Sequence, residues 1–144
     1  MGFRPKHSLN KVFEIIKNGD LDNVVFSVPE KSTISVISVF SDTKPKSYSQ
    51  AVEFILNGVL SLREEDFVHR QCLFADLSCI ADVYGVNYES RPWYVKFYIE
   101  DGKFLEQVSF HPPEREMITI TGIKIPKGDY TYEKMRKLWI KRTK

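Results

Sequence analysis

The dipeptide Asp101-Gly102 joins two stretches of alternating apolar and polar residues, WYVKFYIE and KFLEQVSFH. A two-residue type I′ turn requires positive φ at both central positions, and aspartate and glycine are among the residues that accept it most readily. The alternation has the period of a β-strand with one buried face. The sequence therefore predicts an antiparallel hairpin centred on this dipeptide, which is the strongest hairpin signal in the chain.

A two-residue turn also predicts which residues face each other across the hairpin, starting from Glu100 opposite Lys103. One face is then apolar and belongs in the core: it pairs Val95 with Val108, Trp93 with Phe110, and Ile99 with Phe104. The other face is polar: it pairs Tyr94 with Ser109 and Lys96 with Gln107, and it places His111 beside Pro92.

This polar face has two interpretations. Outward polar side chains are ordinary for an antiparallel sheet. A phenol, an ammonium group, a hydroxyl, an amide and an imidazole on one patch also suit anion binding and proton transfer. His111 precedes Pro112 and Pro113, and a following proline favours an extended backbone at His111. A fixed position suits a catalytic group, although prolines also simply end strands.

The sequence before the hairpin is largely helical in period. Apolar residues recur at helical spacing in HSLNKVFEIIKNGD and again after Ser47, which forms a capping-box signature with Gln50. Ser61 and Glu64 repeat that signature and predict a third short helix, LREEDFVHRQ, which carries His69. Between the first two helices, KSTISVISVFSD is rich in β-branched residues and predicts an extended segment.

Strand-like sequence dominates the second half of the chain. IADVYGV precedes the hairpin, and REMITITGIKI follows it as one further strand with a bulge at Gly122. The final segment, DYTYEKMRKLWIKRTK, predicts a short amphipathic helix. Helices followed by an antiparallel sheet indicate the α+β class, and we expect one domain over residues 1–144.

Composition narrows the function classes. A net charge of +2 on 144 residues gives no overall signal for nucleic acid. The last residues form a local basic cluster that fits either a solvated helix or a polyanion-binding surface, comprising Lys134, Arg136, Lys137, Lys141, Arg142 and Lys144. Two cysteines, Cys72 and Cys79, are too few for a secreted disulfide scaffold and predict free thiols in a reducing cytosol.

Metal-ligand spacing is missing from the sequence, because no Cys-x-x-Cys pair accompanies the three scattered histidines. We therefore expect no metal and no other cofactor. The N-terminus lacks the apolar region of a signal peptide, and no apolar run approaches the roughly 20 residues that cross a bilayer. The expectation is a cytoplasmic protein without a membrane partner.

Several motifs in a shared order resemble the motility quorum-sensing regulator toxins, the MqsR-like mRNA interferases of the RelE-like ribonuclease group. They are SLNKVFEIIKNGDL, LSLREEDF, the spacing from Asp76 to DVY, YVKF and VSF, and they cover about residues 8–28 and 51–114. The resemblance implies a RelE-like fold, a twisted antiparallel sheet with helices packed on one side. It also implies a family-like core over residues 1–112 and an extension over residues 113–144, with a longer segment at 29–50.

The resemblance implies metal-independent cleavage of single-stranded RNA and a separate antitoxin protein as partner, with no DNA. The tyrosine implicated in cleavage in the family falls on Tyr94. Two implicated lysines fall on His69 and His111, and an implicated glutamine falls on Ala81 and is lost here. Histidine is a better base than lysine at neutral pH, so this exchange predicts that His69 and His111 act as the acid and base, with roles unassigned.

The expected reaction is attack of the 2′-OH on the adjacent phosphate. Lys96, together with Arg70 or Arg91, is expected to neutralise charge on the reacting phosphate. Tyr94 is expected to hydrogen-bond the phosphate or stack on a base, and Gln107 and Ser109 complete the substrate-binding set. Two alternatives stay open: a non-catalytic RNA- or protein-binding module on the same scaffold, and a ribonuclease directed at tRNA.

Overall fold

The computed structural model describes residues 4–18, 23–26, 29–41, 43–73 and 76–128. This part of the chain has the expected α+β class. Its helices are α1 (Leu9–Lys17), α2 (Pro29–Val39) and α3 (Tyr48–Leu60). Its strands are β1 (Val24–Phe26), β2 (Phe67–Leu73), β3 (Asp76–Tyr88), β4 (Arg91–Glu100), β5 (Phe104–His111), β6 (Met117–Ile118) and β7 (Lys124–Ile125). The predicted C-terminal helix and its basic cluster fall in residues 129–144, outside the described ranges.

The main sheet has the strand order β1-β5-β4-β3-β2. Strands β2 to β5 are antiparallel, as predicted, but β1 runs parallel to β5 and makes the sheet mixed. The expectation of a purely antiparallel sheet is therefore wrong at this edge. In the described ranges no helix has the length and apolar character needed to cross a membrane.

Helices α1 and α3 cover one face of the sheet. Helix α1 buries one face against the sheet, formed by Leu9, Val12 and Ile15, which recur at the spacing of a helical turn. The side chains of Trp93, Val95 and Phe110 belong to the same core, which confirms most of the apolar face predicted for the hairpin. Next to the turn the prediction is wrong, because Ile99 pairs with the buried Leu105 and not with Phe104. The ring of Phe54 in α3 lies at the centre, in contact with four aromatic rings: those of Phe40, Tyr88, Trp93 and Phe110.

The segment predicted to be extended, KSTISVISVFSD, instead forms most of α2. Its β-branched residues gave a local preference that tertiary packing overrides. Val36 is fully buried in the core, and the hydroxyl of Ser32 accepts a hydrogen bond of 3.0 Å from the backbone N–H of Phe110. Helix α2 thus lies against β5 and supplies a partner to that strand beyond the end of β1.

The prediction of a third helix over LREEDFVHRQ is also wrong. A single 3₁₀ turn, Glu64–Asp66, is closed by the Asp66 carboxylate, which accepts a hydrogen bond of 2.9 Å from the N–H of Arg63. Phe67 is then fully buried and begins β2, which pairs along its length with β3. His69 consequently lies on a strand. The register shifts between Phe67 and His69, so Phe67 belongs to the core face whereas His69 lies on the opposite face together with Gln71.

The β4–β5 turn has the positive φ predicted for both central positions, 54° at Asp101 and 64° at Gly102. The predicted register is wrong, because Glu100 pairs with Phe104 and a β-bulge follows between Lys96 and Tyr98. Tyr94 therefore faces His111, and Lys96 faces Ser109. Beyond the bulge the total slip is two residues, and an even slip leaves each side chain on its predicted face.

The segment predicted as one C-terminal strand is a short hairpin, β6 paired with β7. Gly122 lies in its turn with φ of 85°, and it is not a bulge within a strand. The hairpin is tied to the main sheet by a 2.9 Å hydrogen bond from Ile120 N–H to the Phe67 carbonyl. A Cβ at Gly85 would lie 2.8 Å from Met117 and 3.1 Å from Ile125, so the hairpin packs directly on β3 at this glycine.

Candidate active site

A cleft of about 970 Å³ lies on the sheet face opposite α1 and α3. The β6 strand and the segment before it form one wall, and α2 contributes Lys31. The cleft is lined mainly by polar side chains: Lys31, His69, Gln71, Tyr94, Lys96, Ser109, His111, Glu114, Arg115 and Glu116, with Val68, Met117 and Ile118 as apolar members.

Strand alternation explains which side chains reach this cleft. Along one row of the sheet, His69 pairs with Val83, Val83 with Lys96, and Lys96 with Ser109. Side chains two residues away on the same strands share the face, which adds Gln71, Tyr94 and His111. The cleft therefore collects groups from three strands: the β4–β5 hairpin and β2, which precedes β3 in the chain.

The imidazole of His111 is buried, with 6% of the residue exposed. Its Nδ1 lies 2.8 Å from the Pro112 carbonyl, which can only accept, so Nδ1 carries the hydrogen and Nε2 keeps its lone pair. Burial lowers the pKa of His111 below its ordinary value, and Lys31 and Lys96 act in the same direction against the opposing effects of Pro112 and Glu114. The ring is therefore a neutral imidazole near pH 7.

Tyr94 orients that imidazole. The two rings are stacked, with centroids 4.8 Å apart and planes inclined by 19°. The Tyr94 hydroxyl donates a hydrogen bond of 3.4 Å to Oε1 of Gln71. Burial raises the pKa of Tyr94, and Glu114 adds to the effect, so the phenol stays protonated and acts as a hydrogen-bond donor.

His69 lies at the exposed side of the cleft. Its Nδ1 is 3.0 Å from the carbonyl of Arg70, so in the neutral ring Nδ1–H donates and Nε2 is the remaining functional atom. The structure thus places both predicted histidines in one cleft, together with Tyr94, Lys96 and Ser109.

Lys96 is a half-buried cation in this cleft. Burial lowers the pKa of its ammonium group, and the nearby charge of Lys31 lowers it further. Across the described parts of the chain, no carboxylate lies within salt-bridge distance of Lys96. A desolvated cation without a carboxylate partner favours an anionic ligand, which would restore the lost solvation.

Two predicted arginines do not line the cleft. Arg70 lies between His69 and Gln71 on β2, so its side chain is on the opposite face of the sheet. Its Nε donates a 2.9 Å hydrogen bond to the carbonyl of Arg4. Arg91 lies 5.5 Å from the centroid of the Phe40 ring and lines a separate cavity. The side chain of Gln107 lies outside the described part of the structure.

Gln71 is one of the polar cleft residues that the sequence interpretation missed, together with Lys31, Glu114, Arg115 and Glu116. A helix over LREEDFVHRQ separates His69 from Gln71 by about 200° around the helix axis, which hides their common face. A strand puts both side chains on one side. The signal for the strand was the run of aromatic and β-branched residues at Phe67 and Val68.

Within the described ranges, no group of three or more histidine, cysteine, aspartate or glutamate side chains is arranged to hold a metal ion. No protein-family model matches this chain, and searches of curated proteins and of solved structures also give no match. The family resemblance noted in the sequence therefore stays a prediction.

Proposed function

We propose that this protein is a metal-independent endoribonuclease of the mRNA-interferase type, with a RelE-like arrangement of sheet and helices. The observation that carries the proposal is the presence of His69 and His111 in one cleft with Lys96 on β4, one of the two strands between them. Two imidazoles and an ammonium group around one space are a set that can move two protons and bind one phosphate.

His111 is the base in this proposal, because its neutral ring offers a lone pair at Nε2. Nε2 takes the proton from the 2′-OH, the 2′ oxygen forms a bond to phosphorus, and the bond from phosphorus to the 5′ oxygen breaks. His69 gives a proton to that leaving oxygen. The products are a 2′,3′-cyclic phosphate and a 5′-OH end, and no water or metal enters the step.

Lys96 provides the electrostatic part of the mechanism. Its ammonium group neutralises charge that develops on the nonbridging oxygens of the phosphate, in a site where burial strengthens the interaction. The protonated Tyr94 hydroxyl supplies an additional donor. The cleft also contains Glu114 and Glu116, so it is a mixed site that favours one localised phosphate over a dense polyanion.

The spacing of the strands sets what this division of labour requires. His69 and His111 belong to β2 and β5, which are separated by three inter-strand spacings, about 14 Å, and His111 lies two residues further along β5 than Ser109, which is in the row of His69. In this proposal the two side chains reach one phosphate and its two flanking oxygens from opposite sides of Lys96.

The glutamine that the resemblance places at Ala81 has a structural replacement. Gln71 is directly opposite Ala81 in the β2–β3 ladder, and its side chain reaches the cleft. A carboxamide is therefore present in the same row of the sheet, contributed by the neighbouring strand. This supports activity despite the loss at Ala81. In this proposal the substrate is single-stranded RNA, and a cognate antitoxin controls the protein.

The test is cleavage of single-stranded RNA by the purified protein in EDTA, with the chemistry of the new ends determined. We expect 2′,3′-cyclic phosphate and 5′-OH ends, and a rate loss of about 10²-fold or more in His111→Ala and in His69→Ala. His7→Ala is the matched control, because the His7 ring bonds to the Ile80 carbonyl and does not line the cleft.

Urea unfolding of each variant distinguishes lost chemistry from lost structure. Wild-type protein that binds RNA without cutting it, or His111→Ala and His69→Ala variants that cut as fast as wild type, would favour a non-catalytic binding module. Cleaved ends found only in tRNA after expression in cells would redirect the proposal to tRNA.

A further inference from the structure

A second cavity, of about 440 Å³, adjoins the cleft at the end of β5. His111 lines the cleft, and the next residue, Pro112, lines this cavity. On β4 the division is the same, since Tyr94 lines the cleft whereas Pro92 lines the cavity. A polymer bound across the stacked Tyr94–His111 pair would therefore enter the second cavity as it left the first.

The cavity combines an apolar floor with a charged rim. Val39, Pro92, Pro112 and Pro126 supply apolar surface, and Arg91 and Lys127 supply two cations. Its volume falls within the range of small-ligand pockets, about 300–1,000 Å³. Apolar surface next to positive charge is complementary to a nucleotide, which has a planar base and an anionic phosphate.

Arg91 is held in place before any ligand arrives. Its guanidinium carbon lies 5.5 Å from the Phe40 ring centroid, and the Lys46 ammonium nitrogen lies 5.0 Å from the same centroid. Among the described residues, no carboxylate forms a salt bridge with Arg91, although Glu89 also lines the cavity. A cation packed on an aromatic ring without an acidic partner retains its capacity to bind phosphate.

We propose that this cavity binds the nucleotide next to the scissile linkage of a single-stranded RNA. The base contacts the proline rings, and the backbone phosphate contacts Arg91 and Lys127. The inference rests on the proposed function, and it adds a subsite that makes affinity and cleavage depend on substrate length. An RNA that ends at the cleft makes none of these contacts.

The experiment measures binding of single-stranded oligonucleotides from two to eight nucleotides long, with every 2′-OH methylated so that cleavage cannot occur. Arg91→Gln and Lys127→Gln remove the two cations separately. Lys103→Gln is the control, because Lys103 is exposed in the β4–β5 turn and lines neither cavity. Fluorescence anisotropy at several salt concentrations gives both the affinity and its salt dependence.

We expect wild-type affinity to rise with length once the oligonucleotide can reach the second cavity. Each variant should lose that rise, and the slope of log affinity against log salt should fall by about 0.7 for each phosphate contact removed. The Arg91→Gln and Lys127→Gln variants should bind the shortest oligonucleotide as tightly as the wild type does. Lys103→Gln should match the wild type in affinity and in salt dependence at every length. Lys127 is exposed, so its variant tests the subsite even where Arg91→Gln disturbs folding.

Long and short oligonucleotides bound equally by wild type and both variants would overturn the subsite. So would AMP bound as tightly as the longest oligonucleotide, which indicates a free-nucleotide site. Cleavage of natural RNA by the wild type shows whether only the subsite proposal fails or the proposed function fails as well. If the wild type cleaves RNA but the affinity of the variants still rises with oligonucleotide length as in the wild type, only the subsite proposal is refuted. If wild type neither cleaves nor binds RNA, the proposed function falls with it.

Discussion

Tyr94 and His111 lie directly opposite each other in the β4–β5 ladder, and their rings stack with centroids 4.8 Å apart. The stack fixes the plane of the imidazole, and the Pro112 carbonyl fixes its rotation by accepting from Nδ1. Aromatic pairs of this geometry contribute about 0.5–1.5 kcal/mol beyond their buried area. One strand thus carries the imidazole, and its neighbour carries the ring that orients it.

The stack and the hydroxyl of Tyr94 are separable by substitution. Tyr94→Phe keeps the ring on His111 and removes the hydrogen bond to Gln71, so we expect a stability loss of about 1 kcal/mol and a fall in kcat/KM of about fivefold to tenfold. Tyr94→Ala also removes the stack and leaves a space beside the imidazole, with an expected stability loss of about 2–3 kcal/mol.

Urea unfolding and cleavage kinetics measure these two effects, and NMR titration of the His111 ring protons reports whether the imidazole environment changes. Tyr94→Phe should retain the wild-type titration curve more closely than Tyr94→Ala. Identical curves and identical stability for the two variants would show that the ring of Tyr94 does not position His111.

The pH dependence of stability follows from burial of His111. Its pKa in the folded protein is below that in the unfolded chain, which is about 6.5, so the unfolded chain takes up the proton first as pH falls. The stability that the neutral His111 ring contributes is fully present above about pH 6.5, and it is lost as the pH falls through the pKa of the folded protein. The measurement is the free energy of unfolding in urea at several values between pH 8 and pH 5.

His111→Gln keeps a polar side chain of similar length but does not titrate. We expect the difference in unfolding free energy between wild type and this variant to be constant above pH 6.5 and to shift in favour of the variant at lower pH. Other titrating groups cancel in this difference. A difference that is independent of pH would mean that the His111 ring is solvated in the folded state.

The hairpin shows what local sequence determines. Positive φ at Asp101 and Gly102 is a property of the dipeptide itself, so the turn was predictable. The bulge near Lys96 was not, because nothing in the local sequence marks it. The site was still predicted on the correct face, since a slip of two residues preserves the alternation that put Tyr94, Lys96 and His111 together.

The errors arose where distant parts of the chain decide the structure. Helix α2 carries β-branched residues that favour strands, yet its hydrogen bond to β5 and its buried Val36 depend on tertiary packing. Strand β2 was predicted as a helix, which hid Gln71, whereas His69 was a candidate because of the family resemblance. Arg70 was a candidate beside His69, but neighbouring residues of a strand point to opposite faces, so its side chain lies away from the cleft.

The turn between β3 and β4 contains a removable strain. Glu89 and Ser90 have φ of 54° and 63°, in the left-handed region that disfavours residues with a Cβ. Ser90→Gly accepts this conformation, although glycine also gains entropy in the unfolded chain. We expect a net stabilisation of about 0.5–1 kcal/mol, measured by urea or thermal unfolding.

Gly102→Ala is the opposite control for that prediction. Its φ is 64°, and a Cβ there would meet nothing within 4 Å, so any cost comes from the backbone alone. We expect a loss of about 1 kcal/mol. Stabilisation of both variants, or of neither, would contradict the assignment of strain to the left-handed backbone.

Gly58 in α3 lies directly against the side chain of Phe110 in β5. A Cβ at this position would lie 2.7 Å from Cζ and 2.8 Å from Cε2 of Phe110. Phe110 is fully buried and stacked on Trp93 with ring centroids 4.8 Å apart, so the ring has little room to move. Gly58→Ala gains about 1 kcal/mol of helix propensity but overpacks the core at a cost of about 1–3 kcal/mol.

The overpacking should win, and we expect Gly58→Ala to lower the free energy of unfolding by about 1 kcal/mol or more. Asn57→Ala is the matched control, because Asn57 is exposed one position earlier in the same helix and gains propensity without a clash. Gly58→Ala as stable as Asn57→Ala would show that α3 can move away from β5 at little cost. The cleft on the other face of the sheet would then rest on a more deformable support than the packing of Phe110 implies.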